Sequence, residues 1–407
     1  MKSHFTAKFF AGNRARLCEL FTGTAPIVIT ASGVLQRGGD SPFSFAQDAN
    51  FWYLTGIDEP DVVLVMDGGE EYLVVPGQSD YQKAFDGTAQ DRELTRRSGI
   101  KQIYGQEEGW NRLTERLKKV KHIATIAPSP AYIDVYGIYT NPARAALLAK
   151  LKEHKPGVKL LDLMPHLVRM RTVKQPEEIA AIQAAIDITA ASLKDVFQSG
   201  QYKYEYELEA EITAGFRRRG AAGHAFTPIV AGGQRACTLH NVANNSALSR
   251  SDLVVVDVGA EVEHYAADIT RTVSLGRPSA RQKAVYAAVL DAQKFATGLL
   301  KPGMSFSDYH QQTNRFIGEK LRELGLIKTI NAKNIRKYYP HSISHFLGLN
   351  VHDAGDYSQP LQVGSVLTVE PGIYIPAEGI GVRIEDDVLI TEKGAKVLSS
   401  KLPRSLG

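Results

Sequence analysis

Cysteine is scarce in this chain of 407 residues, which contains only Cys18 and Cys237. Two cysteines so far apart exclude a disulfide-stabilised scaffold, and their separation does not match the ligand spacing of a structural zinc site. A low cysteine content is typical of proteins in a reducing compartment. We therefore expect a cytoplasmic protein.

Long apolar segments and a large net charge are also lacking. No apolar run approaches the ~20 residues that a membrane-spanning helix requires, so we expect no membrane partner. The 48 Lys and Arg residues nearly balance the 44 Asp and Glu residues, and the basic residues are scattered apart from short clusters such as 217–219. This composition favours a globular protein that does not bind nucleic acid.

Several common signatures are missing as well. The motifs HExxH and GxSxG, which mark two large groups of hydrolases, do not occur. The N-terminal segment MKSHFTAKFFAGNRARL is basic and has no acidic residue before Glu19. It lacks the serine content and the length of a transit peptide, so we do not expect one.

The length of the chain favours two domains. In the first part, strand-like runs such as APIVIT, DVVLVMDG, EYLVVP and HIATIAP alternate with the helical patterns GWNRLTERLKKV and NPARAALLAKLKE. This alternation predicts an α/β N-terminal domain over residues 1–173. Pro176, followed by Glu177 and Glu178, marks the start of a helix, because proline and acidic residues suit the first helical turn. Residues 174–407 therefore form the second predicted domain.

The second domain contains a weak internal duplication. Each half opens with a long helical pattern, from Pro176 and from Ser279, and a glycine-containing turn and a second helical pattern follow. A histidine segment comes next, CTLHN in one half and HSISHFLG in the other, and each half closes with a pair of strands that carry acidic residues. The pattern predicts an α+β domain whose halves face each other across a pseudo-two-fold axis, with the acidic residues at the centre.

Four acidic residues lie in or beside strand-like runs: Asp257, Asp268, Glu370 and Glu385. Strands seldom contain aspartate, and burying an unpaired carboxylate is costly. Cations between the carboxylates would remove both the repulsion and the cost of burial. Glu385 precedes two further acids; alternation puts it on the same strand face as Arg383, but the sequence leaves open which face points inward.

Histidines cluster next to these acids, because His341, His345 and His352 fall within twelve positions. Their spacing matches neither a zinc finger nor a zincin. Four carboxylates with one imidazole suit divalent ions such as Mn²⁺, Co²⁺ or Zn²⁺. Two such ions about 3.5–4 Å apart can bridge a water molecule, lower its pKa and polarise a carbonyl. The sequence therefore predicts metal-assisted hydrolysis of an amide bond.

The second domain resembles the pita-bread metallopeptidases in five segments, VVDVG, ADITRT, HFLGLNVHD, VEPGIY and RIEDD. The segment FSFAQDANFWYLTGIDEPD resembles the N-terminal domain of the proline-specific aminopeptidases, the Xaa-Pro aminopeptidase (aminopeptidase P) family. The resemblance implies the pita-bread (creatinase/aminopeptidase) fold and hydrolysis of the N-terminal Xaa-Pro bond of peptides through a metal-bridged water. It also implies two divalent ions, with Mn²⁺ first and Co²⁺ or Zn²⁺ as alternatives, and a homodimer or homotetramer.

The same resemblance implies a role for each ligand candidate. Asp257 and Asp268 would bind the first metal, and Asp268 would also bridge to the second. His345 and Glu370 would bind the second metal, and Glu385 would bridge the two. Glu370 would in addition serve as the general base.

Four further residues match positions that contact the substrate or the ligands in that family. His352 and His341 would contact the substrate and stabilise the tetrahedral intermediate. His240, in TLHNVANN, would lie near the scissile bond. Arg383 would orient a ligand carboxylate.

Two alternatives remain at this point. A prolidase, which cleaves only Xaa-Pro dipeptides, would share the whole metal site. A metal-free relative of the creatinase type would have lost ligands, and the presence of all five counts against it. The sequence leaves open the physiological metal, the natural peptides and the oligomeric state.

Overall fold

The computed structural model describes residues 3–87, 90–128, 134 and 136–406. The first two residues of the basic N-terminal segment and the predicted domain limits at 1 and 407 lie outside this part of the chain. The chain divides into two compact units, Phe5–Met170 and Arg171–Gly407 with Met1–His4. No helix in the described part is long and apolar enough to cross a membrane.

The strands predicted for the N-terminal unit all form. Its strands are β1 (Ile27–Thr30), β2 (Gln36–Gly38), β3 (Ser41–Pro42), β4 (Val63–Asp67), β5 (Glu70–Val75), β6 (Gln102–Gly105), β7 (His122–Thr125) and β8 (Lys159–Asp162). Six of them build one sheet in the order β6-β5-β4-β1-β7-β8. β4 and β5 pair antiparallel across the Gly68-Gly69 turn, where both glycines adopt the positive φ that a tight hairpin requires.

The described part of this unit also contains helices. They are α1 (Ala7–Leu20), α2 (Ala49–Thr55), α3 (Asp80–Asp86), α4 (Asp91–Ser98), α5 (Gln106–Leu117), α6 (Ala143–His154) and α7 (Met164–Thr172), the last of which runs past the division between the units. Trp110, Leu113 and Leu151 from α5 and α6 pack with Val28 and Val65 of the sheet in one buried core. The predicted α/β character of this unit is therefore confirmed.

The second unit begins with the helix predicted at Pro176. Its helices are α8 (Pro176–Ser199), α9 (Glu205–Arg218), α10 (Ala280–Leu299), α11 (Phe306–Glu323) and α12 (Ala332–Arg336), with short 3₁₀ helices at Gly233–Cys237 and Pro376–Glu378. The Glu178 carboxylate accepts a hydrogen bond from the backbone N–H of Gln175 at 2.9 Å. Ser279 and Gln282 exchange the equivalent pair of bonds at the start of α10. Both long helices thus begin at capping boxes.

The strands of this unit form small antiparallel sheets. They are β9 (Gly223–His224), β10 (Ile229–Gly232), β11 (Leu253–Val258), β12 (Ala260–Val262), β13 (Tyr265–Ala266), β14 (Ile269–Ser274), β15 (Val366–Val369), β16 (Gly372–Ile375), β17 (Ile380–Arg383), β18 (Asp386–Thr391) and β19 (Gly394–Val397). Two three-stranded sheets, β10-β11-β14 and β15-β18-β19, belong to the two halves, and β13-β12-β9 and β16-β17 complete the set.

Each half thus has two long helices followed by antiparallel strands, as the duplication predicts, and the second half adds the short helix α12. The histidine segments are not equivalent in detail. In the second half the backbone of His345 bonds to Thr368 of β15, whereas in the first half the strand β10 pairs with β11. His240, in the first half, follows the 3₁₀ helix Gly233–Cys237 and lies outside the strands.

Candidate metal centre

Two adjacent strands bring the aspartates together. Asp257 lies in β11 directly opposite Thr270 of β14, and Asp268 is the residue before β14. Both side chains are buried. Burial first, and the nearby Asp257 carboxylate second, hold the pKa of Asp268 well above its usual range. The pair therefore repels strongly when both are ionised.

His345 faces these acids from the segment beside β15. Its Nδ1 lies 3.0 Å from the carbonyl oxygen of Phe346, which can only accept, so Nδ1 carries the proton in the neutral ring. The bare Nε2 then lies 3.4 Å from Asp268 Oδ2 and 3.5 Å from Glu370 Oε1. A lone pair that points at two carboxylate oxygens is the arrangement of a metal ligand.

The two glutamates lie just outside strands. Glu370 follows β15, and its backbone N–H donates to the carbonyl of Ile343 at 2.9 Å. Glu385 lies between β17 and β18, and its Oε2 accepts a 2.7 Å bond from Thr270 Oγ1. Burial raises the pKa of Glu370 to about 7 and holds that of Glu385 well above its usual range, with neighbouring carboxylates adding to both.

The donor set fits divalent cations. One ligand atom each from Asp268, His345 and Glu385 lies within 4.8 Å of the others. Asp257 Oδ1 is buried and has no hydrogen-bond partner among the described residues. A buried carboxylate oxygen without a partner costs free energy, and a bound cation would offset that cost. Oxygen ligands with one imidazole suit the hard and borderline divalent ions.

A guanidinium group supports the rim of the cluster. Arg383 is buried at the end of β17, and its Nη2 donates to Asp257 Oδ2 at 2.6 Å. Its Nη1 donates to Tyr374 Oη at 2.9 Å, and its Nε donates to Thr270 Oγ1 at 3.2 Å. These three bonds fix the orientation of the guanidinium, and Arg383 in turn holds Oδ2 of Asp257 in place.

His341 lies on the far side of Glu370. Its Nδ1 is 2.8 Å from the carbonyl of Ser342 and 3.4 Å from Glu370 Oε2. Its Nε2 is 2.9 Å from Tyr374 Oη, which accepts from Arg383 and so donates its own proton to this nitrogen. Burial, with Arg383 second, lowers the pKa of His341 to about 3, which keeps the ring neutral.

The two other histidines flank the same space. The ring of His352 stands edge-on to that of His345, with centroids 4.4 Å apart. Burial and then His345 lower its pKa to about 4. His240 is exposed, and its charge lowers the pKa of both His341 and His352, so it lies close to them. The structure thus brings all nine residues selected from the sequence into one neighbourhood.

Sequence reasoning overlooked three contributors. Thr270 and Tyr374 bind Arg383, and Asp387 Oδ2 accepts a 3.1 Å bond from the backbone N–H of Asp268. Asp387 shares the inward strand face with Glu385, whereas Asp386 points away and binds Arg271. Strand alternation from Glu385 was the signal that could have identified Asp387. The two hydroxyls carry no comparable signal, because threonine and tyrosine are ordinary strand residues.

Two family models match the chain. Metallopeptidase family M24 matches residues 180–392, and the aminopeptidase P N-terminal domain matches residues 10–124. The human protein named Xaa-Pro aminopeptidase 3 is 34% identical over 406 residues, covering 93% of this chain and 79% of its own length. The Xaa-Pro aminopeptidase of Escherichia coli is 32% identical, covering 98% of this chain and 96% of its own.

Solved structures agree. An aminopeptidase of Pseudomonas aeruginosa superposes with a TM-score of 0.88 at 29% identity, covering 100% of this chain and 97% of that one. Aminopeptidase P of Escherichia coli superposes with a TM-score of 0.87 at 30% identity, covering 98% and 96%. The predicted α/β N-terminal and pita-bread C-terminal architecture is therefore confirmed. The chain belongs to metallopeptidase family M24 and carries an aminopeptidase P N-terminal domain.

Proposed function

We propose that this protein is an Xaa-Pro aminopeptidase, which removes the first residue from peptides whose second residue is proline. The observation that carries the proposal is the buried cluster of carboxylates and His345. It occurs in a chain whose nearly full-length relatives bear that name. We assign residues 174–407 as the catalytic domain and residues 1–173 as the N-terminal domain.

Two divalent ions, Mn²⁺ first and Co²⁺ or Zn²⁺ as alternatives, fit the donor set. Asp257 and Asp268 would hold one ion, His345 and Glu370 the other, and Asp268 and Glu385 would be shared. When bound, such ions supply Lewis acidity, which acidifies a water molecule and polarises a carbonyl. The partly unpartnered carboxylate of Asp257 supports this assignment.

Glu370 is the proposed general base. Its Oε2 lies 3.4 Å from His341 Nδ1, and its backbone N–H is held by the carbonyl of Ile343. A carboxylate held in this way can accept a proton from water and pass it to the leaving nitrogen.

The neutral imidazoles act on the substrate. Because their pKa values are about 3 and about 4, His341 and His352 remain uncharged at neutral pH. A neutral His352 ring offers one N–H to a carbonyl oxygen without repelling the cations held beside it, whereas the N–H of His341 is directed at the carbonyl of Ser342. We assign His352 and His341 to substrate binding and oxyanion stabilisation, His240 to contact near the scissile bond, and Arg383 to holding Asp257.

Proline in the second position makes the scissile nitrogen tertiary, so the bond lacks an N–H. Most aminopeptidases handle this bond poorly, because the ring also restricts the conformers of the preceding residue. A site that activates the carbonyl and the water does not need that N–H. The chemistry therefore suits Xaa-Pro bonds in particular.

The test is a panel of metals and peptides on the full chain. We expect Mn²⁺ to activate hydrolysis of an Xaa-Pro-Xaa tripeptide and to leave the Xaa-Ala-Xaa analogue almost uncleaved. Turnover of an Xaa-Pro dipeptide without turnover of the tripeptide would instead identify a prolidase. A protein that binds no stoichiometric Mn, Co or Zn and gains no activity from them contradicts the proposal.

We also propose a homo-oligomer, a dimer or tetramer, in the cytoplasm. The two cysteines are free, which fits a reducing compartment. Light scattering should give a multiple of the 44.6 kDa chain mass. A monomer mass at micromolar concentration would exclude this assembly.

A further inference from the structure

A cavity of about 880 Å³ lies beside the candidate metal centre. One wall is α11, and the other is formed by residues 330–342, which include α12. Its volume falls in the range of pockets that enclose small ligands. The residues that matter here are Asn314, Arg315, Asn331, Arg336, Tyr339 and His341.

The cavity shares His341 with the metal centre. The Nδ1 of this ring lies 3.4 Å from Glu370 Oε2, while the same residue lines the cavity. Tyr339, at the base of the cavity, stands edge-on to the His341 ring with centroids 4.8 Å apart. The His341 ring therefore connects the lining of the cavity with Glu370 of the candidate metal centre.

The lining is cationic. It contains two guanidinium groups and no carboxylate among the described residues. Arg336 is exposed and forms no ion pair with a described residue. Arg315 has only a 3.5 Å contact with Glu319 on its own helix. Both guanidinium groups are therefore available to an incoming anion.

Tyr339 adds a buried hydrogen-bonding group. Its side chain is 2% exposed, and its hydroxyl has no hydrogen-bond partner among the described residues. A buried hydroxyl that stays unpaired is costly. Tyr339 therefore marks a buried polar position between the cavity and His341.

We propose that this cavity binds the part of the peptide that follows the proline, and that Arg336, assisted by Arg315, pairs with a carboxylate of the third residue. The carboxylate is either the C-terminus of a tripeptide or an acidic side chain in the third position. The proposal rests on the proposed Xaa-Pro aminopeptidase function. It makes the enzyme selective for short or acidic peptides.

Two pairs of peptides distinguish the sources of the carboxylate. The first pair is Ala-Pro-Leu with a free C-terminus and its C-terminal amide. The second pair is Ala-Pro-Glu-amide and Ala-Pro-Gln-amide. For the wild-type enzyme we expect kcat/KM to favour the charged member of at least one pair by about threefold, the size typical of an exposed ion pair. The preference should reside in KM and should shrink in high salt.

Arg336→Ala should reduce this preference to unity by lowering kcat/KM for the charged peptides toward the value for their neutral partners. Lys333→Ala is the matched control, because Lys333 is an exposed cation on the same helix that does not line the cavity. Arg336→Lys should restore part of the preference. Equal kcat/KM for charged and neutral peptides in the wild type, or a preference that survives Arg336→Ala, would overturn the proposal.

If the wild type hydrolyses none of the four peptides, the proposed function fails instead. Calorimetric binding of Ala-Pro-Leu and its amide then tests the cavity directly. The affinity for Ala-Pro-Leu must exceed the affinity for its amide in the wild type and in Lys333→Ala, and the two affinities must be equal in Arg336→Ala. If Arg336→Ala leaves the ratio of the two affinities unchanged, the cavity assignment is contradicted in that case as well.

Discussion

Asp386 and Asp387 are neighbours in β18, both fully buried, yet their electrostatic surroundings are opposite. Asp386 accepts hydrogen bonds from Arg271 Nη2 at 2.7 Å, Gln293 Nε2 at 2.8 Å and Ser399 Oγ at 2.6 Å, and Arg404 adds a fourth. Asp387 receives one bond from the Asp268 backbone, and its other oxygen has no partner among the described residues. The carboxylate on one side of the strand therefore has positively charged partners, and the carboxylate on the other side lacks them among the described residues.

The same difference in charge compensation separates two larger clusters of buried residues. The cluster around Asp386 pairs one carboxylate with two guanidinium groups. The candidate metal centre gathers five acids, Asp257, Asp268, Glu370, Glu385 and Asp387. Among the described residues, the ion pair of a guanidinium with one of these carboxylates is that of Arg383 with Asp257. Burial alone thus does not distinguish a structural acid from a functional one. The count of partners does, because an uncompensated buried charge has to be neutralised by a proton or an added cation.

A third cluster shows how a compensated acid supports the site. Asp353 follows His352 and is buried between Arg171 and Lys174, both of which donate to its carboxylate. Its backbone N–H donates to the carbonyl of Phe346 at 2.8 Å. This closes the loop from Phe346 to Asp353 and holds His352 against His345.

The largest effect is expected from removing an uncompensated acid. Asp268→Asn should abolish hydrolysis and stoichiometric metal binding, because it removes a proposed bridging ligand. The metal-free variant should melt no lower than the metal-free wild type, since one repelling carboxylate is gone. Metal analysis, kinetics and thermal melting in chelator measure the three quantities. Retained metal with normal activity contradicts the ligand assignment.

Removing the compensated acid should have the opposite signature. Asp386→Ala leaves Arg271 and Arg404 facing each other without a carboxylate, which costs about 3–5 kcal/mol of unfolding free energy for a broken buried pair. Chemical unfolding at neutral pH measures the loss. The fraction that remains folded should bind metal with wild-type stoichiometry. If Asp386→Ala and Asp268→Asn destabilised the metal-free protein equally, the contrast between the Asp386 cluster and the candidate metal centre would be contradicted.

The pH dependence of the metal-free protein sharpens the same contrast. Burial raises the pKa of Glu370 to about 7 and holds those of Asp268, Glu385 and Asp387 well above their usual range. Such groups stabilise the fold while protonated. Their contribution is complete below the unfolded pKa of about 4 and is lost as pH rises through the folded pKa.

Histidines with lowered pKa, such as His341 and His352, act in the opposite direction below about pH 6.5, where the unfolded chain protonates them. Above that pH the carboxyl groups act alone. The unfolding free energy of the chelated protein should therefore fall from pH 6.5 to pH 8.5, and bound Mn²⁺ should remove most of the decline. Unfolding curves at several pH values, with and without Mn²⁺, measure it; rising stability without metal would be incompatible with the carboxyl assignment.

Sequence pattern predicts many strands and helix starts well, because these depend on local signals. Alternating apolar runs located β1, β4, β5 and β7, and a proline with two acids located the start of α8. The helix predicted from residue 109 instead begins at Gln106, since Glu107 and Glu108 suit its positive end.

The sequence does not show which remote side chains become hydrogen-bond partners of one another. Glu385, Asp386 and Asp387 are three identical charges in a row, and their separate fates depend on Arg271, Gln293 and Ser399, which are remote in the chain. The hydrogen bonds that Tyr374 accepts from Arg383 and donates to His341 likewise join residues that no spacing rule connects. Long-range hydrogen bonds of this kind follow from the three-dimensional packing of strands and not from periodicity.

The smallest effect is expected where a compensated pair lies at the surface. Arg281 donates two parallel bonds to Glu378, at 2.7 and 2.8 Å, but each side chain remains about one-third exposed. Water already solvates both charges, so the pair stabilises the fold by less than about 1 kcal/mol despite its good geometry. Glu378→Gln should accordingly lower the unfolding free energy only slightly, and 0.5 M salt should remove the difference. Because Asp386 and Glu378 both bind arginine at similar distances, a loss for Glu378→Gln as large as that for Asp386→Ala would show that burial does not set the cost, and the contrast drawn between the regions would fail.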